Sequence, residues 1–244
     1  MPRFFINKDN ITEGNARILG QDAFHIARSL RMAVGDVITL SDGEGKEYVS
    51  VLTSIRDDEC TASIKDEKIS ASEPSSEITL YMAYPKGDKL ETVVQKAVEL
   101  GAAKIIPFIS SRCIKRPTED KADKQTARLN KISSEAAKQC GRGRLPKVEK
   151  TVNIKEVAAS MEKYSLSLFC YEGDGARSLR DLLESATSPE KIAVIVGSEG
   201  GFSPEEAKLL TDSGAIAVNL GPRILRCETA PDYVLSAISY RFEL

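Results

Sequence analysis

Two glycine-bearing runs near the C-terminal end hold the residues best suited to chemistry. They are Gly197-Ser198-Glu199-Gly200-Gly201-Phe202 and Leu220-Gly221-Pro222-Arg223-Ile224-Leu225-Arg226-Cys227-Glu228-Thr229-Ala230. Each leaves an apolar stretch and precedes a helical pattern with its own start signal. Glycine lets backbone amides approach a ligand where a side chain would block it. Two such loops after two neighbouring strands would build a backbone-lined pocket at the strand ends, with Arg223, Arg226 and Glu228 adding charge at its rim. A site of that kind suits a small ligand read by main-chain hydrogen bonds and a reaction run by positioning.

Several other chemistries are excluded by what is missing. No G-x-x-x-x-G-K-[ST] run exists, so the usual phosphate-binding loop is absent. Neither Gly43/Gly45, Gly141/Gly143 nor Gly173/Gly175 is followed by the third glycine of a dinucleotide-binding turn. His25 is the only histidine and lies far from the C-terminal runs, so a Ser-His-Asp or Cys-His mechanism would need it to cross domains. It reads as a structural or RNA-contacting residue. The five cysteines (Cys60, Cys113, Cys140, Cys170, Cys227) are scattered singly and read as reduced thiols, not as a disulfide frame or zinc site. No ligand cluster suggests a metal.

The elements that must position these loops follow from the patterning. At 244 residues, 41% apolar and 29% charged, the composition is that of a globular protein of one large domain or two ordinary ones. Residues up to about Lys68 read as short strands. Val37–Leu40 and Glu47–Leu52 form a hairpin across Ser41–Gly45, and Leu30–Asp36 reads as a short helix and turn. Together they suggest a half-open β-barrel. Asp66–Glu77 reads as a polar linker. Beyond it strands alternate with helices. Strands are expected over Ile78–Tyr84, Lys104–Ile109, Leu166–Tyr171, Ile192–Val196 and Ile216–Leu220. Asp88 and Glu91 have capping-box spacing before a helix that buries Leu90, Val93, Val94, Ala97 and Val98 and ends at Gly101. A basic helix over about Asp123–Gln139, one near Ser178–Leu183, one started by Ser203-Pro204-Glu205-Glu206 and one over Ala230–Phe242 complete the pattern. Such alternation implies an α/β layer with a mostly parallel sheet, whose ligands sit beyond the strand carboxyl ends.

The net charge of −2 favours no partner by itself, but its distribution is uneven. From Arg112 to Lys150 there are twelve Lys/Arg (112, 115, 116, 121, 124, 128, 131, 138, 142, 144, 147, 150) against five acids. A concentrated basic stripe is the footprint of a polyanion-binding face, and Arg142 and Arg144 sit in a Gly-rich loop instead of a solvated helix face. Met1–Ile6, broken by Asn7 and Lys8, is too short for a signal peptide, and no apolar run approaches the roughly 20 residues of a membrane span. A cytoplasmic protein without membrane association is expected.

The run Lys86-Gly87-Asp88-Lys89-Leu90-Glu91, continued by Lys96-Ala97-Val98-Glu99-Leu100-Gly101, resembles together with the two C-terminal runs the three signature segments of the SPOUT methyltransferases. Over the whole chain the sequence resembles most closely the bacterial 16S rRNA uridine-N3 methyltransferases, the ribosomal small-subunit methyltransferase E family. Arg3-Phe4-Phe5 and Leu30–Asp36 match that family's PUA-like N-terminal barrel, and Lys138-Gln139-Cys140-Gly141-Arg142 resembles its basic Gln-x-x-Arg segment. Ser198 stands where proline is common, and Cys227 where threonine is common. The resemblance implies a PUA-like, RNA-binding β-barrel over 1–70 and a trefoil-knotted α/β domain over 77–244. It also implies S-adenosylmethionine held bent in the knot and a homodimer with the active site near its interface. Carried over by motif, the cofactor contacts are Val196, Gly197, Glu199, Gly200 and Gly201, then Leu220, Gly221, Ile224, Leu225 and Arg226, with Cys170, Tyr171 and Glu172 beside them. RNA contacts are expected from Arg3, Arg28, Arg31, Arg112, Lys138, Gln139, Arg142 and Arg144. The implied substrate is a uridine near the 3′ end of 16S rRNA within an assembled small subunit.

The chemistry of that reaction selects residue types. Uracil N3 carries a proton, and only the deprotonated nitrogen is a good nucleophile toward a sulfonium methyl. Arg226 or Arg223 suits stabilisation of the uridinate anion; Glu228 or Glu199 suits proton acceptance, directly or through water. N3 lies on the Watson–Crick edge, so the target must be unpaired or flipped out. Two readings stay open on the residues: methylation of another base or RNA, and a non-catalytic RNA-binding assembly protein.

Overall fold

Alternating apolar residues in the first seventy positions become a curled, open sheet. The computed structural model describes every residue except Lys115, Pro117 and Thr118, and leaves aside the side chains of Glu119, Asp120 and Lys121. It divides into two units, Met1–Glu73 with Ala137–Leu145, and Pro74–Ala136 with Pro146–Leu244.

In the first unit, strands β1 (Arg3–Phe5), β2 (Ile11–Thr12), β3 (Asn15–Leu19), β4 (Val37–Ser41), β5 (Lys46–Ile55) and β6 (Glu59–Ile69) pair in the order β1-β4-β5-β6-β3-β2. β1 runs parallel to β4 and the other pairs are antiparallel. Register shifts between Val49 and Ser50 and between Leu52 and Ser54 give the bends that curl such a sheet. Phe4, Ile18, Ile38, Leu40 and Leu52 close over Ala23 and Ile26 from helix α1 (Gln21–Phe24) and the π-type turn His25–Ser29. His25 is exposed and meets Phe4 edge-on, with ring centroids 6.3 Å apart.

Two expectations are corrected in this unit. The helical turn expected over Leu30–Asp36 comes earlier, over Gln21–Ser29, and the chain has left helical backbone by Arg31, whose φ is 50°. The polar stretch from Asp66 is also not all linker. Asp66–Ile69 continues β6 against Lys46–Val49, and its charged side chains are those of an exposed ribbon, with Glu67 paired to Lys46 across it.

The second unit has strands β7 (Glu77–Ala83), β8 (Ala102–Ile109), β9 (Lys147–Val148), β10 (Val152–Asn153), β11 (Leu166–Cys170), β12 (Arg177–Ser178), β13 (Lys191–Val196) and β14 (Ile216–Asn219). Their order is β10-β8-β7-β13-β11-β14-β12, with β9 also on β8, and every pairing is parallel. Ile192, Ala193, Val194 and Ile195 are all buried. Successive strand residues face opposite ways, so this means both faces of the sheet are covered. Among the helices α2 (Lys89–Glu99), α3 (Glu119–Cys140), α4 (Ile154–Ala159), α5 (Leu179–Ser185), α6 (Pro204–Asp212) and α7 (Thr229–Phe242), α2 buries the five apolar residues expected of it. Leu90 and the three valines contribute roughly 1.5–3 kcal/mol each, and Gly101 at φ 93° ends the run.

The two start signals differ in outcome. Ser203 and Glu206 form a full capping box with Pro204 at the first helical position. Asp88, in contrast, makes no side-chain capping bond, and Glu91 turns to Arg128 at 2.8 Å. The expected box at α2 is not formed. Among the described residues no helix is long and apolar enough to cross a membrane.

Candidate active site

β11 lies between β13 and β14, so the two glycine loops do not leave neighbouring strands, and that expectation from the sequence is corrected. The chain passes from β13 through α6 and returns on the far side of β11. The exit of β11, Cys170-Tyr171-Glu172, thereby becomes a third wall. The three strands are parallel, so their carboxyl ends open on one edge, and there the second unit has a cleft of about 890 Å³, a size suited to a small ligand.

Every residue expected to touch the cofactor lines this cleft. Cys170, Tyr171 and Glu172 come from the β11 exit, and Val196, Gly197, Glu199, Gly200 and Gly201 from the β13 exit. Leu220, Gly221, Ile224, Leu225 and Arg226 come from the β14 exit. The glycines have distinct reasons. A Cβ at Gly197 would lie 3.1 Å from the C and Cα of Gly201, in a turn closed by the Gly201 amide donating to Ser198 O at 2.9 Å. Gly201 has φ 63° and open space where a Cβ would stand. A Cβ at Gly200 would press on Arg112 Cβ at 3.0 Å.

Arg112, expected among the RNA contacts, is exposed and also holds the β13 loop: its Nη1 donates to Gly200 O at 2.8 Å and Ser198 Oγ donates to Arg112 O at 3.3 Å. Its place is on the cleft wall. Arg223 and Arg226 are exposed and line the cleft; among the described residues neither guanidinium has a charged or hydrogen-bonded partner.

Sequence reasoning missed Lys89. Its ammonium lies 3.1 Å from Glu199 Oε1 and 3.1 Å from Glu228 Oε2, and its side chain lines the cleft. The signal lay in the Lys86–Glu91 run, read there for helix capping instead of charge. Glu228 stands at the cap position of α7, outside the cleft lining, and Cys227 Sγ donates to its Oε2 at 3.2 Å. Burial pushes the carboxyls of both glutamates up. For Glu199 its own amide, Lys89 and the Lys86 amide outweigh this, and for Glu228 its own amide, Cys227 and Lys89 do so. Both are held below the usual carboxylate range, which makes them ionised and weakly basic. Burial, then the Glu228 carboxylate, pushes the Cys227 thiol up to about 12, and burial does the same to Cys170. Both thiols are neutral at physiological pH. Among the described residues no group of three His, Cys, Asp or Glu is placed to hold a metal.

In the first unit the expected RNA contacts divide. Arg31, Gln139 and Arg144 are exposed. Arg3 pairs with Glu47 at 2.7 Å, Arg28 with Asp57 at 2.5 Å and Lys138 with Asp22 at 2.7 Å. Arg142 requires a correction: it is buried, not a loop-borne phosphate ligand. Its Nε and Nη2 fork onto Glu73 at 3.0 and 2.8 Å, and Glu73 Oε1 also accepts the amides of Gly143 and Arg144. An arginine fixed in that way holds its own loop in shape. Of the rest of the stripe, Lys115 and the side chain of Lys121 lie outside the described residues, while Arg128 and Lys150 pair with Glu91 and Asp123.

Comparison with known proteins gives the same organisation. A family model described as an RNA methyltransferase domain matches residues 72–239, and one described as an RNA methyltransferase PUA domain matches residues 18–65. The Ribosomal RNA small subunit methyltransferase E of Bacillus subtilis is 33% identical over 100% of this chain and 98% of its own length. That of Aquifex aeolicus is 32% identical over 80% of this chain and 82% of its own. A crystal structure of a Ribosomal RNA small subunit methyltransferase E from Neisseria gonorrhoeae, bound to S-adenosyl methionine, matches with a TM-score of 0.87 and 32% identity over 98% of this chain and 97% of that one. With both units matched in order and relatives aligned from end to end, the chain belongs to the ribosomal RNA small subunit methyltransferase E family.

Proposed function

We propose that this chain transfers a methyl group from S-adenosylmethionine to N3 of a uridine in 16S rRNA. The reading extends to a cytoplasmic homodimer with a trefoil-knotted catalytic unit, acting on the assembled small subunit, with the first unit and the remaining exposed basic residues holding RNA. The observation that carries it is the cleft at three parallel strand exits, walled by glycine turns and rimmed by Arg223 and Arg226, which have no ion-pair partner among the described residues.

The residues present fit the cofactor. Gly201 lines the cleft with open space where a Cβ would stand, and the volume of about 890 Å³ accepts a ligand of that size. When bound, S-adenosylmethionine supplies an electrophilic methyl group. Arg226 and Arg223 hold the developing uridinate by preorganised charge. Glu199 and Glu228 are the candidate acceptors of the N3 proton, directly or through water, and the hydrogen bonds they already accept from Lys89 weaken both as bases. The Watson–Crick edge becomes reachable only once the base is flipped out.

Calorimetry tests the cofactor. Wild-type protein is expected to bind S-adenosylmethionine, and Gly201→Val to lose that binding while unfolding cooperatively, since a β-branched residue at φ 63° is strained and its side chain enters the cleft. No heat with the wild type would leave the non-catalytic RNA-binding reading in place. RNA contact is tested by Arg144→Ala, which should lower the slope of log affinity against log salt by roughly 0.7–0.9, the value of one phosphate contact. An unchanged slope would remove Arg144 from the RNA face.

A further inference from the structure

Lys89 stands where helix physics disfavours it. It is the first residue of α2, and a cation at a helix N-terminus faces the positive end of the helix dipole. Asp88 next to it provides no side-chain cap. A sequence that breaks a local rule at one place commonly does so for a site, and here the compensation is visible. The ammonium sits between Glu199 of the β13 loop and Glu228 at the end of the β14 loop, 3.1 Å from each. The Lys86 amide donates to the same Glu199 carboxylate at 3.1 and 3.3 Å. Two walls of the cleft thus meet on one side chain of a third segment.

We propose that Lys89 is a positioning residue that pins the two cleft loops together, cancelling the repulsion between Glu199 and Glu228 and setting the cleft in its cofactor-binding shape. This rests on the reading of the cleft as an S-adenosylmethionine site. The groups facing the ammonium are Glu199, Glu228 and the Cys227 thiol, whose sulfur is 4.0 Å away; Asp88 and Glu91 belong to its own helix and cap, and Arg112 lines the same cleft against Gly200. With Lys89 removed, two carboxylates held close by their own backbone anchors face each other without a counter-charge. Protonating either one, or replacing it by its amide, should then relieve the repulsion.

The test is calorimetry of full-length protein with S-adenosylmethionine from pH 5 to pH 8. Lys89→Met is expected to weaken binding on the order of tenfold at pH 8, within the range found for coupled charged neighbours. Its affinity should recover toward pH 5 as the unpinned carboxylates protonate, whereas wild type stays flat over that interval because its paired glutamates remain ionised. Lys89→Arg should restore most of the affinity, and the double variant Lys89→Met/Glu228→Gln should bind better than Lys89→Met alone. A residue that merely stabilised the fold would shift the melting temperature and leave the pH dependence of affinity unchanged. Equal affinities and parallel pH profiles for wild type and Lys89→Met would overturn the pin, as would a double variant weaker than the single. Absence of binding by wild type would instead overturn the cofactor reading.

Discussion

Replacing Arg226 by alanine is expected to slow single-turnover methylation by two to three orders of magnitude at saturating S-adenosylmethionine. That factor corresponds to about 3 kcal/mol, the usual loss when one preorganised donor is removed from a developing anion. Arg226 lines the cleft, is exposed, and has no partner among the described residues, so its charge is available to a substrate. Cofactor affinity, measured separately by calorimetry, should fall far less than turnover. Lysine at this position should rescue only part of the rate, because it keeps the charge and loses the planar fork. A variant with near-normal turnover, or with only its affinity reduced, would move the role to Arg223.

The other large effect is on stability. Arg142→Met is expected to destabilise the first unit by about 3–5 kcal/mol, because it strands the Glu73 carboxylate in a buried position. Burial pushes Glu73 up, but Arg142 and the amides of Arg144 and Gly143 hold it below the usual carboxylate range. A depressed carboxylate stabilises fully above its unfolded value, roughly 4.3, and that contribution is lost as pH falls through the folded value. The pair should therefore matter at neutral pH and fade in acid. Urea unfolding of the full chain, with hydrogen exchange across β4–β6, reads the effect. The double variant Arg142→Met/Glu73→Gln should be milder than the single, since no charge is then left unpaired. Unchanged protection of β4–β6 in Arg142→Met would return Arg142 to the surface role that its sequence context suggested.

The contrast between Arg142 and Arg226 shows where sequence reading succeeds. Both sit in glycine-bearing segments beside other basic residues. Arg226 is placed by strand exits, which apolar runs and turn residues announce locally, and it stands in the expected cleft. Arg142 is placed by Glu73, sixty-nine positions away, and no local pattern encodes that pairing. The same distinction governs the elements. Strands β7, β13 and β14 and helices α2 and α6 follow from short-range periodicity and caps. The insertion of β11 between β13 and β14 is a long-range choice that neither loop reveals. Lys89 is hidden for a related reason: it stands beside the Asp88–Glu91 spacing at the head of a helix, while its partners, Glu199 and Glu228, lie over a hundred residues on. Asp88 and Glu91 show the converse, a correct local spacing overridden when Arg128 claims the glutamate.

Methyl transfer to one nitrogen of one base is reported directly by its product. Small ribosomal subunits lacking the modification are incubated with the protein and S-adenosylmethionine, and the nucleosides of the recovered 16S rRNA are resolved by mass spectrometry. One added methyl group on uridine, at N3, is expected, and it should disappear with Arg226→Ala. A methyl group on another base, or a wild-type protein that binds S-adenosylmethionine and leaves the subunit RNA unmethylated, would contradict it.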